Sequence, residues 1–248
     1  MTIFDSRLIA TFSLLIMSTL PAMAARNLDK NLGWPGQTLS GSNCQGREQA
    51  FGPFDYTDTT FTVAGNYTRH GRSEAPLRTV EKVHFTAKVE RLISGQTGVE
   101  PMVDIDYTIR AFPNHHRALY AAIRGYLRQP PLALRDGQAD VFRPGYQGFP
   151  PPECYLQRAQ YFAPEDGMVA ALFGLYLHRR NDLDGALAKY VEAEKLFGET
   201  EYAELYYNRG LLHFDRGDYS EAQEYADKAY ALNYQLPGLR RKLEQRGH

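Results

Sequence analysis

Few side chains in this sequence have the types and spacing that chemistry needs. His115 and His116 are adjacent, so on a helix they point about 100° apart and cannot jointly hold one metal ion. His70, His84, His178, His213 and His248 are scattered, with no pair at the spacing of a ligand motif. Asp104 and Asp106, and likewise Asp182 and Asp184, stand two apart near expected helix starts. Carboxylates there serve as caps and macrodipole partners rather than as acid–base pairs. The sequence holds no glycine-rich phosphate loop, nucleophile elbow or haem-attachment motif, and it calls for no cofactor. One hydrolytic or accessory-enzyme reading stays open, around Asp55, Asp58 and His84. It requires His84, His115 or His116 to converge on one of those aspartates in an open pocket.

The elements that must position these residues begin with a leader. The chain has 248 residues, a formal net charge of −1 and 43% apolar residues, enough for one or two domains with a core. No basic excess stands ready to displace counterions, which argues against a nucleic-acid partner. Residues 1–24 read as a signal peptide: Arg7, a mostly apolar run from Leu8 to Leu20, then Ala22-Met23-Ala24 as a cleavage site. Thr11, Ser13, Ser18 and Thr19 make the run too polar, and its length too short, for a membrane span. The expectation is a periplasmic or secreted protein with no stable membrane anchor after cleavage. Cys44 and Cys154 are the only cysteines, both survive cleavage, and disulfides persist outside the cytoplasm. They are expected to pair.

Residues 25–97 form an irregular N-terminal region rich in glycine, threonine, asparagine and aromatics. Gly52-Pro53 marks a turn, Thr60 to Val63 suits a short strand, and Asn66 to Pro76 reads as an exposed loop. Thr86 can cap a short helix carrying Val89, Leu92 and Ile93, ended by Gly95. The region is too aromatic for a disordered tail and is expected to pack against residues 98–248. Residues 129–152 are rich in proline and glycine, which excludes a continuous helix.

Residues 98–248 carry a repeat. Gly174 and Gly210 stand 36 positions apart, and at that offset Ala186 falls on Ala222 and Ala193 on Ala229. Small residues let paired helices approach, and a mid-helix glycine costs about 1 kcal/mol relative to alanine, so close packing must offset it. Tyr190 lies between Ala186 and Ala193, whereas Tyr225 falls one position off the corresponding place. Asp182 to Gly185 and Gly217 to Ser220 supply turns and caps. The pattern resembles the tetratricopeptide repeat family, whose period is about 34 residues. Earlier pieces fit the same register, with Asp104 to Ile109 leading to Pro113 and Cys154 to Ala159 leading to Pro164. The expected fold is mainly α: an α-solenoid of about three helical pairs, beginning with a half unit and a unit split by the insertion.

The resemblance implies a non-catalytic scaffold that binds a protein or peptide partner, such as an assembly factor in the periplasm. It also implies that the first helix of each pair lines a concave groove. By register, that groove would carry Arg117, Tyr120, Arg124 and Arg128, then Met168, Ala171, Leu175, His178 and Arg179. Glu204, Tyr207, Asn208, Leu211 and Phe214 would come after them. Its basic end would thus grade into an apolar, aromatic end. The lysine and asparagine clamp that some members use for chain-terminal carboxylates is not reproduced; only Asn208 stands at one of its positions.

Overall fold

The computed structural model describes residues 32–69, 72–98, 100–128 and 148–247. The expected leader and the insertion up to residue 147 lie outside the described residues. The elements run α1 (Thr59–Thr62), β1 (Tyr67–Arg69), β2 (Arg72–Glu74), α2 (Pro76–His84) and α3 (Ala87–Glu90). The larger helices come next: α4 (Pro101–Ala111), α5 (His116–Arg128), α6 (Pro152–Phe162), α7 (Gly167–Arg179) and α8 (Leu183–Phe197). Last come α9 (Ala203–Arg216), α10 (Tyr219–Ala231) and α11 (Gly238–Glu244).

Local chemistry sets the helix ends. Proline opens α2, α4 and α6, where its fixed φ suits the first helical position and its missing N–H costs nothing. The Asp166 carboxylate caps α7 by accepting from Met168 N, and Asp182 caps α8 by accepting from Gly185 N at 2.9 Å. Gly217 ends α9 in the left-handed region, at φ 87°. The helices then stack as expected: α4 as a half unit, α5 with α6 on either side of the insertion, then the pairs α7–α8 and α9–α10.

The two glycines that marked the repeat are packed differently. A Cβ on Gly174 would lie 2.6 Å from the Tyr190 ring, so α7 and α8 cross where that ring comes directly against a bare backbone. At the matching place in the next pair stands Ala226, too small to fill the space. Leu239 of α11 fills it instead, closing over Gly210. Helix α11 packs on both α9 and α10. The main core runs from Phe85 and Val89 through Ile105, Ile109, Leu119, Tyr155 and Tyr176 to Leu212.

The N-terminal region departs from expectation in its local elements. Residues 59–62 form a helical turn rather than a strand, because Asp58 accepts from Thr60 N at 2.8 Å. Part of the expected loop is the hairpin β1–β2, paired antiparallel with Tyr67 opposite Glu74. Helix α2 is an addition to the expected elements, although Pro76 before Leu77 and Val80 is a start signal leading into one apolar face. Helix α3 stops at Glu90; Leu92 has φ 59°, and Ile93 is 64% exposed rather than packed. The region does pack on the solenoid. Phe54 sits against Phe112 with ring centroids 5.3 Å apart, and Cys44 is disulfide-bonded to Cys154 of α6. Buried Arg158 donates to Gly33 O, Ile109 O and Gln49 Oε1, fastening the same segment.

Candidate functional site

The first helices α5, α7 and α9 share one face, and two adjoining hollows open on it. The first, about 230 Å³, has walls of Tyr120, Met168, Ala171, Leu172, Leu175, Tyr190, Phe197, Tyr202 and Leu205. His116, Arg117, Glu204 and Asn208 give it polar edges. The second, about 410 Å³, lies between α5 and α7 and is lined by Tyr120, Ile123, Arg124, Leu127, Arg128, Leu175 and Arg179. Tyr120 and Leu175 belong to both. Tyr190 is fully buried, and its hydroxyl has no hydrogen-bond partner among the described residues. Burial pushes its ionisation well above the ordinary tyrosine value, so it is a neutral hydroxyl.

The arginine stripe is divided. Arg117 is answered by the N-terminal region: its Nε and Nη2 donate to Glu90 at 2.8 and 2.6 Å, and its Nη1 to Glu81 at 3.1 Å. Arg124 donates to the Glu90 carbonyl and lies over the Tyr120 ring, 5.0 Å from its centroid. Arg128 and Arg179 are exposed and make no ion pair among the described residues. Positive charge is therefore neutralised beside the first hollow and left open around the second.

Residues 203–236 match the family model of the tetratricopeptide repeat. This segment is a tetratricopeptide repeat. It comprises α9, α10 and the link to α11. The pair α7–α8 repeats the arrangement of small residues, with Gly174, Ala186 and Ala193 buried at the crossing. No curated protein and no solved structure matches the chain.

The aromatic end of the expected groove lies in this tetratricopeptide repeat, and it is covered. Tyr207 is buried, its ring 4.6 Å from that of Tyr234, and Leu211 and Phe214 pack in the same C-terminal cluster. Lys242 of α11 lies 4.8 Å from the centre of the Phe214 ring and pairs with Asp215 at 3.1 Å. His178 meets the same Asp215 at 3.0 Å, linking α7 to α9. Tyr207, Leu211, Phe214 and His178 therefore line neither hollow. The residues that replace them, Tyr190, Phe197 and Tyr202, come from α8 and the α8–α9 connection. Phe197 and Tyr202 stand on either side of Gly198 in sequence, with ring centroids 4.0 Å apart and planes tilted by 33°. Aromatics on both sides of that glycine were the available sequence signal.

Among the described residues, His84, His115 and His116 each meet a carboxylate other than Asp55 or Asp58. His84 pairs with Asp104 at 2.8 Å and stacks on Tyr107. His115 reaches Glu81 at 3.2 Å, and His116 reaches Asp166 at 2.8 Å. Asp55 is buried and accepts from Thr57 N, Thr57 Oγ1 and Asn114 Nδ2. Asp58 caps α1. Asn114 bridges Asp55 and Asp166 at 2.8 and 2.9 Å, tying the N-terminal region to the start of α7. Burial alone would raise Asp166, but His116, Asn114 and the Val169 amide together hold it below the usual carboxylate range. Asp106 is buried rather than capping, and accepts from Tyr155 Oη at 2.7 Å and Arg110 Nε at 2.9 Å. Among the described residues no group of three or more metal-ligating side chains could hold a metal ion. No described helix is long and apolar enough to cross a membrane.

Proposed function

We propose that this chain is a non-catalytic scaffold that holds a segment of a protein partner along the face of α5, α7 and α9. One observation carries the reading: an apolar hollow adjoins a second one whose arginines, Arg128 and Arg179, lack carboxylates among the described residues. Exposed cations beside apolar floor suit a ligand that is itself part apolar and part acidic. The tetratricopeptide repeat supports protein binding as the general role. The apolar run and cleavage site of residues 1–24, with a disulfide in the body of the chain, support work outside the cytoplasm. In a bacterium the protein would act in the periplasm as an assembly factor.

Site-specific photocrosslinking tests the face. A crosslinker replacing Tyr120 should capture a protein from the native extracytoplasmic fraction, whereas one replacing Tyr161, 67% exposed on α6, should not. Capture only from position 161 would move the interface to the other side. Export is tested by mass analysis of the isolated protein, which should begin at Ala25. An intact Met1 on membrane-extracted protein would reverse that reading.

A further inference from the structure

The first hollow carries an unanswered charge opposite in sign to those of the second. Met168, Leu172, Leu175 and Leu205 make it apolar, while Tyr120 and Tyr202 line it and remain 41% and 37% exposed. Three titratable side chains border it besides the tyrosines. His116 is answered by Asp166 at 2.8 Å. Arg117 is answered twice, by Glu90 and by Glu81, which leaves one negative charge in excess at that edge. Glu204 is exposed and makes no ion pair among the described residues. Glu204 and Leu205 stand four and three residues before Asn208, so α9 turns one face to the hollow with the carboxylate on it. Burial is the chief reason that Tyr190 keeps its proton; Arg179 works against it and Glu204 with it, so the Glu204 charge is felt at the hollow's wall.

An aliphatic chain that ends in a cation satisfies every part of this hollow. Its methylenes lose water against leucine, its cation is attracted to tyrosine rings, and its N–H groups donate to the carboxylate. A purely apolar side chain would fill the space but bring dry surface beside Glu204 without a counter-charge, and an acidic one would meet like charge. We propose that the first hollow takes a lysine or arginine side chain of the partner, its stem over Leu175 and Leu205 and its cation between Tyr120, Tyr202 and Glu204. The second hollow, with Arg128 and Arg179, favours an acidic group. A bound segment then carries both signs of charge and is held in one direction, because reversal sets like charges together at both ends. This inference rests on the groove being the binding face.

Selection of random dodecapeptides displayed against the immobilised full chain tests it. Enriched sequences should share a lysine or arginine. The best of them, made as an N-acetylated peptide, is then compared with a copy in which norleucine replaces that residue. Norleucine keeps the stem and removes the charge, and acetylation removes the terminal amine as a rival cation. The basic peptide should bind roughly threefold to tenfold more tightly. Glu204→Gln, at an exposed position outside the core, should shrink that preference by about threefold, the size of a partly exposed ion pair, and barely affect the norleucine peptide. Tyr202→Leu should shrink it likewise by removing one ring. Added salt should narrow the gap in the wild-type chain.

Enriched peptides without a basic residue, or a norleucine peptide that binds as well as the basic one, would overturn the inference and leave the groove reading standing. So would a preference for lysine or arginine that Glu204→Gln leaves intact while Leu175→Glu or Tyr120→Ala abolishes binding. Peptides whose binding survives both Leu175→Glu and Tyr120→Ala would place the site elsewhere and overturn the groove reading as well. No enrichment at all would overturn both.

Discussion

Arg117 and Glu90 form a two-pronged ion pair, Nε and Nη2 of the one on Oε1 and Oε2 of the other at 2.8 and 2.6 Å. The pair joins α5, on the groove, to α3 of the N-terminal region. Two parallel N–H···O bonds fix orientation as well as distance. Arg117 is half exposed, so solvent screening keeps the contribution modest. Glu90→Gln should lower stability by about 0.5–1 kcal/mol, read as the urea midpoint at neutral pH. The hydrogen bond from Arg117 holds the Glu90 carboxyl below its ordinary value of 4.5. The contribution is therefore complete above about pH 4.5 and lost as pH falls below it. An unchanged midpoint with unchanged acid sensitivity would mean that the bridge adds nothing.

His115 sets a second pH dependence at higher pH. It is fully buried between Tyr56 and Phe85 and accepts from Ala118 N on Nδ1 at 3.2 Å, so the proton sits on Nε2, facing Glu81. Burial lowers its pKa from 6.5, and Glu81 only partly opposes this. The unfolded chain then takes up the proton first, so stability is full above about pH 6.5 and declines as pH falls. His115→Gln should flatten the slope of stability between pH 7 and 5. Some slope should remain, because burial lowers His178 as well. A variant with the full wild-type slope would count against His115.

Gly174 and Gly210 should respond differently to alanine. At Gly174 the new methyl would meet the rigid Tyr190 ring at 2.6 Å, and overpacking of that kind costs about 1–3 kcal/mol. At Gly210 the nearest atom is the tip of Leu239 on a short terminal helix that can shift, and the helix gains about 1 kcal/mol of propensity. Thermal melts should show Gly174→Ala clearly destabilised and Gly210→Ala close to wild type. Equal losses would indicate that α11 is held as firmly as α8.

Removing the disulfide should be costly. Cys44 and Cys154 close a loop of 110 residues, which in the chain-entropy model is worth about 4–5 kcal/mol through the unfolded state. The native segment has other fastenings, including Leu39 N to Glu153 Oε1 at 3.0 Å and Gln157 Nε2 to Gln37 O at 2.6 Å. Cys44→Ala with Cys154→Ala should thus unfold at markedly lower urea while keeping native helicity. Free-thiol titration of unreduced, denatured wild-type protein should find none. Two titratable thiols would end the argument.

What the sequence determined by itself is the helical solenoid and its repeat. Gly174, Ala186, Ala193 and their counterparts 36 positions on are small because helices cross there, and that demand is written at fixed local spacing. Asp182 and Gly217 likewise announce helix ends through chemistry within a few residues. Short-range geometry is legible because backbone periodicity imposes it. Tertiary structure alone decided which groove residues stay open. Leu239 covers Gly210, α11 covers Tyr207 and Phe214, Glu90 answers Arg117, and Arg128 and Arg179 are left exposed. Each of these depends on elements meeting across long separations, where no periodicity ties one residue's position to the other's.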